Sequence, residues 1–290
     1  MYVAESFDEL RKKMIEGAKG AIKNAYESEE YALIQAINAY LQINKSYNLV
    51  YERLSEWFGI YFPELNVANP KTLSDLAAAA ARGELNGEAV ERIAGKDGNA
   101  ASIAKKIEGT IGRKGGEEEN AALLEFANLS NNLYNALNSL ENYINSASNR
   151  LMPNVTYLTD AKIAAELLSK AGSLESLALM PASTVQLLGA EKALFKHIKF
   201  GSKPPKYGVL FKLQKVGSGR KDTRGRIARL YATKISIASK ADYFSKRFIA
   251  EDLKKALDEG IKRIEAEPVK ERKREAFRPK PKRGRFNRRR

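Results

Sequence analysis

The chain contains no cysteine, one histidine and one tryptophan among its 290 residues. Without cysteine there is no disulfide, no thiolate nucleophile and no sulfur-ligated metal. That absence fits a reducing cytosol or a hot-living source, and composition does not choose between them. One histidine cannot build a metal cluster, and no nucleophile–base pair or carboxylate pair stands in a recognisable setting. The expectation is therefore a protein that is not an enzyme and holds no metal or other cofactor. No run of about eighteen apolar residues exists, which excludes a transmembrane helix and a membrane partner of that kind. Met1-Tyr2-Val3-Ala4-Glu5-Ser6 lacks the basic head and apolar stretch of a secretory signal, so a cytoplasmic location is expected.

What the chain has instead is positive charge, unevenly placed. Between Ser183 and Lys240, fourteen Lys and Arg face two acids, Glu191 and Asp222, so this window alone carries +12. The last 21 residues, Lys270 to Arg290, hold twelve basic residues and two acids, a further +10. With a total of +15, everything outside the two windows carries −7. A strongly basic module containing helix starts and small residues is the footprint of a polyphosphate partner.

Hydrophobic spacing organises the rest. Residues 7–24 read as a helical lead-in, with Ser6 as N-cap and Glu9 at capping-box distance. Gly17 and Gly20 weaken it, each by about 1 kcal/mol against alanine. Leu33, Ile37, Tyr40, Asn44, Tyr47, Tyr51, Leu54 and Phe58 then follow by steps of four and three, an unbroken heptad seam with one polar member, Asn44. A helix from Leu33 to Phe58 is about 38 Å long, and Gly59 and Pro63 end it. A second seam runs through Ala122, Phe126, Leu129, Leu133, Ala136, Leu140, Tyr143 and Ala147, with Pro153 as its stop. The two seams predict an antiparallel coiled-coil hairpin over residues 25–148 with a tip insertion at 66–119. Whether Asn44 aligns helices within one chain or between two copies is left open.

The tip is rich in Ala and Gly, with short helices predicted at Leu73–Ala81 and Glu88–Ile93. It ends in Gly112-Arg113-Lys114-Gly115-Gly116-Glu117-Glu118-Glu119. No strand precedes these glycines, no Lys-Ser/Thr pair follows, and three carboxylates would repel a phosphate. The stretch reads as a flexible reversal into the second long helix, not a nucleotide cradle. After Pro153 helices are predicted at Thr159–Lys170, Leu174–Met180, Thr184–His197 (with Ser183 as N-cap), Thr223–Ser239 and Ala250–Glu265. Lys199–Val216, with Pro204-Pro205 and an alternating Tyr207–Leu213, predicts a short strand or hairpin arm. Residues 269–290 are Arg-, Lys- and Pro-rich without periodicity and predict a disordered basic tail. The fold class is all-α: a lead-in at 1–24, the hairpin at 25–148, a compact helical domain at 149–268, and the tail.

Several of these stretches resemble one family. Leu33-Ile34-Gln35-Ala36-Ile37 leading to Tyr51-Glu52-Arg53-Leu54-Ser55-Glu56-Trp57-Phe58-Gly59-Ile60-Tyr61-Phe62-Pro63-Glu64-Leu65 resembles the coiled-coil signature of the Nop-domain family. Pro153-Asn154-Val155, Ala171-Gly172-Ser173-Leu174, the run from Pro181 to Phe195, Pro204-Pro205-Lys206-Tyr207-Gly208 and Arg224-Gly225-Arg226-Ile227-Ala228-Arg229 resemble its Nop domain in order and spacing. The resemblance covers about residues 25–265, and the nearest relatives it suggests are archaeal proteins of box C/D guide-RNA particles. It implies a non-enzymatic scaffold. The Nop domain would grip a composite of kink-turn guide RNA and the small kink-turn-binding protein, and the coiled coil would form a homodimer. An N-terminal domain would recruit fibrillarin for guided 2′-O-ribose methylation of rRNA. About two dozen residues stand where that N-terminal domain should be, so fibrillarin docking is left open. A smaller departure is Tyr157-Leu158-Thr159-Asp160, where relatives usually carry a glycine.

Within this frame Thr184–His197 is the expected RNA-contact helix. Its first amides offer partial positive charge to a phosphate, and Gly189 and Ala190 remove bulk where a backbone or base must come close. Lys192, Lys196 and His197 would hold the partner, and Gln186 would hydrogen-bond a base edge. Glu191 and Phe195 are expected to touch the partner protein. The competing account of Gly189-Ala190 is tight packing inside the domain, and of Lys192 a solvated helix face. Lys203, Lys206, Arg220, Lys221, Arg224, Arg226 and Arg229 are expected in or beside two arms, Arg matching phosphate and base edges through its planar fork. Gly217-Ser218-Gly219 predicts an arm disordered until RNA arrives, and Tyr207 and Phe211 are expected in the core. Leu33, Ile37, Tyr40, Asn44, Tyr47, Tyr51, Leu133 and Leu140 are assigned to the coiled coil and dimer contact. The rival function is a coiled-coil architectural DNA- or RNA-binding protein with a non-specific basic arm, needing no small protein partner.

Overall fold

The computed structural model of the protein describes residues 7–95, 98 and 100–268. Among these the chain is all-α and carries no strand. The Ser6 cap and the basic tail at 269–290 lie outside the described residues. Two compact units emerge, one of residues 38–143 and one of residues 1–37 with 144–290.

Two helices open the chain, α1 (Phe7–Tyr26) and α2 (Glu29–Tyr61). Asn69 caps α3 (Pro70–Ala81), accepting from the Lys71 amide at 3.0 Å, while Pro70 fills a first-turn position where no N–H is needed. Asn86 caps α4 (Gly87–Ala94) through the Ala89 amide at 2.8 Å. Next come α5 (Ala100–Glu108), which periodicity did not reveal, and the long return helix α6 (Glu117–Leu151).

In the 38–143 unit the two long helices run antiparallel. Tyr40 donates to Glu141 at 3.5 Å, the Tyr47 and Tyr134 rings lie 6.1 Å apart, and Trp57 lies 6.2 Å from Phe126. As one number rises its partner's falls. The tip is a folded core: Leu73, Leu76 and Ala77 of α3 bury with Leu54, Phe58, Val90, Ile103 and Leu123. The reversal at 109–116, expected to be flexible, is pinned. Glu64 accepts from the Ile111 amide at 2.8 Å and from the Thr110 hydroxyl at 2.9 Å. Glu119 pairs with Arg113 and accepts from the Gly116 amide at 3.1 Å. The Ile111 amide holds the Glu64 carboxyl below the ordinary range, and the Arg113 guanidinium does the same for Glu119. Gly112 comes so close to Tyr61 that a Cβ would lie 2.0 Å from its carbonyl oxygen.

The α2 seam is where the spacing predicts it. Leu33, Ile37, Tyr47, Leu54 and Phe58 are buried, and Tyr40, Asn44 and Tyr51 half-buried. On α6 the seam lies one residue further on than expected. Leu123, Ala127, Ser130, Leu137, Ile144 and Ser148 are buried; of the expected members Ala147 is buried too, whereas Ala122 and Leu129 are exposed and Phe126, Leu133, Ala136, Leu140 and Tyr143 half-buried. The four–three rhythm is right and the register differs, because the true seam contains serines and its neighbouring stripe is more apolar. Those serines are satisfied: Ser130 meets the Ser74 hydroxyl at 2.7 Å and Ser148 donates to the Ala161 carbonyl at 3.2 Å.

The other unit continues with α7 (Pro153–Leu158), α8 (Ala161–Ala171), α9 (Leu174–Leu179), α10 (Ala182–Leu187), α11 (Glu191–Phe200), α12 (Gln214–Gly217), α13 (Arg224–Lys240) and α14 (Ala250–Ala266). Asp160 and Ser173 cap α8 and α9, and Gly172, at φ +89°, ends α8. The centre is α13, which buries Ile227, Ala228, Tyr231, Ala232 and Ile235 and packs on α7, α9, α10, α12 and α14.

Two predicted elements differ here. The helix expected from Thr184 to His197 is two helices, α10 and α11, broken at residues 188–190 with Gly189 at φ +85°. It begins at Ala182 after Pro181, so Ser183 lies inside α10 and is not its cap. The strand or arm expected within 199–216 is instead a loop, a 3-10 turn at Val209–Lys212 and the single turn α12. Proline at 204 and 205 removes two ladder donors, which disfavours a strand.

Candidate nucleic-acid interface

The break between α10 and α11 is built by backbone. The Gly208 amide donates to the Gln186 carbonyl at 3.1 Å and the Val209 amide to the Leu188 carbonyl at 2.7 Å, tying the 201–208 loop along the end of α10. A Cβ on Gly208 would lie 1.8 Å from the Leu188 oxygen, and one on Gly189 would lie 2.7 Å from Val209 Cγ2. Both glycines are therefore required by contacts inside the chain. For Gly189 this is the tight packing inside the domain that stood as the competing account. The space goes to Val209, and Ala190 is the residue before the first turn of α11.

That break sends α11 outward. None of its residues is buried, and Phe195, Ile198 and Phe200 are 59, 74 and 70% exposed. Lys192 and Lys196, one turn apart, are exposed on the same helix. Lys199 lies over the Phe195 and Phe200 rings at 5.6 and 5.3 Å. Glu191 folds back to accept from the Gly189 amide at 2.6 Å. A carboxylate thus sits at the break just before α11. His197 donates through Nδ1 to the Ser202 carbonyl, which fastens the end of α11 to the loop carrying exposed Lys203.

The second group of cations gathers at the start of α13. Gln186 joins it to α10, donating from Nε2 to the Lys206 carbonyl at 2.6 Å and lying 3.5 Å from that of Gly225. Its Nε2 thus holds α10, the 201–208 loop and the start of α13 together. Arg224 donates to the Gly219 carbonyl at 2.7 Å and lies 5.7 Å over the Phe211 ring. Phe211 in turn stacks on Tyr207, centroids 5.0 Å apart and planes 9° from parallel. Tyr207 is half-buried and Phe211 exposed, so neither sits in the core as expected; they form an aromatic stack topped by a guanidinium. Gly217-Ser218-Gly219, expected to be disordered, is a tight turn in which added Cβ atoms at 217 and 219 would meet the carbonyls of Phe211 and Lys215 at 2.9 and 2.8 Å.

Arg226 pairs with the Glu267 carboxylate at 2.6 Å, and Arg220 donates to the Glu267 carbonyl at 3.0 Å with Asp222 at 3.6 Å. These two arginines are partly engaged within the chain. Lys192, Lys196, Lys203, Lys206, Lys221 and Arg229 are exposed and carry no ion pair among the described residues. Thr184 is exposed on α10. Lys212 reaches the other way, 2.5 Å from the nearly buried Glu166 of α8, and anchors the 3-10 turn to the domain. The stack of Tyr207, Phe211 and Arg224 and the apolar triple of α11 were not singled out by sequence reasoning. The i, i+3 spacing of Phe195 and Ile198 without a packing partner in the pattern was the available signal.

Residues 39–263 match the family profile named Nop and described as "snoRNA binding domain, fibrillarin". An "uncharacterized NOP5 family protein" of Methanocaldococcus jannaschii is 35% identical over 271 residues, covering 89% of this chain and 64% of that protein. Nucleolar protein 56 of Schizosaccharomyces pombe is 33% identical over 235 residues, covering 79% of this chain and 47% of its own length. The chain thus spans between about half and two thirds of these curated relatives. The crystal structure of a fibrillarin/Nop5p complex is similar at a TM-score of 0.50 and 21% identity over 89% of this chain and 78% of that one, a likeness of fold.

Proposed function

This chain belongs to the Nop family, and on that premise we propose that it is an RNA-binding scaffold of a box C/D guide-RNA particle. In this reading it recognises kink-turn RNA already held by the small kink-turn-binding protein, and supports guided 2′-O-ribose methylation of rRNA without catalysing it. The observation that carries the reading is α11: a ten-residue helix with no buried residue, exposing apolar side chains beside Lys192 and Lys196. Apolar rings fit a protein surface and the adjoining lysines fit phosphates, so a composite of RNA and protein suits this face better than either alone. Glu191 and Phe195 are the proposed protein contacts. Lys192, Lys196, Lys203, Lys206, Lys221, Arg224 and Arg229 are the proposed RNA contacts.

Homodimerisation is proposed through the long helices. Leu129 is exposed and Leu133 and Leu140 half-buried beside the intrachain seam, leaving an apolar stripe that a second copy could cover. Leu33, Ile37 and Tyr47 are buried within their own chain and act there. The fibrillarin/Nop5p complex makes fibrillarin a further proposed partner, to be tested by pull-down.

Replacing Lys192 and Lys196 together by glutamate should weaken assembly on the protein-bound kink-turn RNA and reduce the log–log salt slope by about 2, one per lost phosphate contact. Both side chains are exposed, so the circular-dichroism melt should not move. Unaltered assembly would remove α11 from the interface.

A further inference from the structure

At the far end of α13 from Arg224 and Arg226, about 24 Å along the helix axis, the chain turns a corner that none of the contacts above uses. A five-residue π-turn, Ala241–Ser245, ends at Lys246, the one non-glycine residue with positive φ, +55°, among the described residues. The corner is held from inside. Asp242, 1% exposed, accepts from the Asn154 amide at 3.1 Å, the Val155 amide at 3.0 Å and Asn154 Nδ2 at 2.6 Å. Asn154 Nδ2 also donates to the Arg247 carbonyl at 2.8 Å, and its Oδ1 accepts from the Ile249 amide at 2.7 Å. A buried Asn–Asp clasp therefore fixes the backbone on both sides of Phe248.

What this fixed loop displays is solvent-facing. Lys246 and Arg247 are exposed, Phe248 is 54% exposed, and its ring meets that of Tyr157, itself 52% exposed, edge-on at 5.7 Å. Phe244 on the preceding turn is 63% exposed, edge-on to Tyr243 at 4.8 Å. Lys240 closes α13 and is also exposed. The acids that follow, Glu251 and Asp252, occupy the first turn of α14, where the helix dipole favours them. Large rings left in water beside a Lys-Arg pair, on a loop made rigid by buried polar groups, describe a contact surface with the wrong composition for a core and the right one for stacked bases and phosphates.

We propose that Tyr157, Lys246, Arg247 and Phe248, with Phe244 beside them, form a second RNA platform that takes a single-stranded segment. Its bases stack on the exposed rings and its phosphates meet the two cations. The inference rests on the chain being an RNA scaffold and adds a site for strand that lies outside the kink-turn. Single-stranded RNA is favoured over an acidic peptide because aromatic faces accept any base, whereas a peptide carboxylate would use only the cations.

The test uses the full chain and two RNAs bound by the small kink-turn-binding protein: a blunt kink-turn, and the same kink-turn carrying a ten-nucleotide uridine extension. The extension should raise the affinity of the wild type. Arg247→Ala with Phe248→Ala should cost about tenfold on the extended RNA and leave the blunt one unchanged, while Phe248→Tyr should retain the gain. If wild type gains nothing from the extension, or the variants weaken both RNAs equally, the platform is overturned while the kink-turn reading stands. If neither RNA binds the wild type, that reading itself fails. Polyglutamate that competes as well as oligouridine would reassign the corner to an acidic protein partner.

Discussion

Asp242 is almost sealed from solvent and still accepts three hydrogen bonds, two of them from the first-turn amides of α7, a helix whose own N-cap position, Met152, supplies no side-chain acceptor. A residue some ninety positions away thus caps α7 and, through Asn154, fixes the corner before α14. Removing it in Asp242→Ala leaves three buried donors unpaired at about 1–3 kcal/mol each, so urea unfolding should show a loss of at least about 3 kcal/mol. Burial outweighs the three donors and raises the carboxyl above its ordinary value of 3.8. The folded chain therefore keeps this proton where the unfolded chain has shed it. The stability linked to that proton is complete below 3.8 and declines as pH rises through the folded value. Wild type measured against Asp242→Asn should lose relative stability as pH rises through that window. A flat difference would mean that Asp242 is not buried as described.

At the scale of elements, α6 carries the most informative prediction. Its buried side is set by Leu137 and Ile144, with Leu129 standing 44% exposed on the neighbouring stripe. Leu137→Ala should cost about 2–5 kcal/mol, and Leu129→Ala within about 0.5 kcal/mol of nothing, in parallel urea titrations on protein diluted below any self-association. Equal losses would restore the register that hydrophobicity alone suggests. Heptad rhythm and proline stops made both long helices legible in the sequence, and α8, α9, α13 and α14 were also placed there, since each signal is local. What was not legible depended on distant partners. The true α6 seam is recognisable only once Ser74 is known to face Ser130. The break at Gly189 follows from Val209 lying against it, twenty positions later. The aromatic stack likewise needs Tyr207, Phe211 and Arg224 brought together by the turn between them. The proposed RNA-contact residues could be chosen in the sequence by type and place alone; that Arg220, Arg226 and Gln186 already hold partners within the chain depended on tertiary contacts.

Over the whole molecule, charge and exposure point the same way. A chain of +15 places +12 between Ser183 and Lys240, and the structure turns that window into an exposed helix, α11, which carries apolar side chains of its own, and a cationic start of α13. Such a surface would bind any polyanion to some degree, so affinity alone does not identify its partner; the dependence on a second protein does. The most direct measurement is the affinity of this chain for kink-turn RNA at one fixed salt concentration, with and without the small kink-turn-binding protein in place. The account predicts binding tighter by about tenfold or more when that protein is present. Equal affinity in its absence, or equally tight binding to duplex DNA, would contradict it.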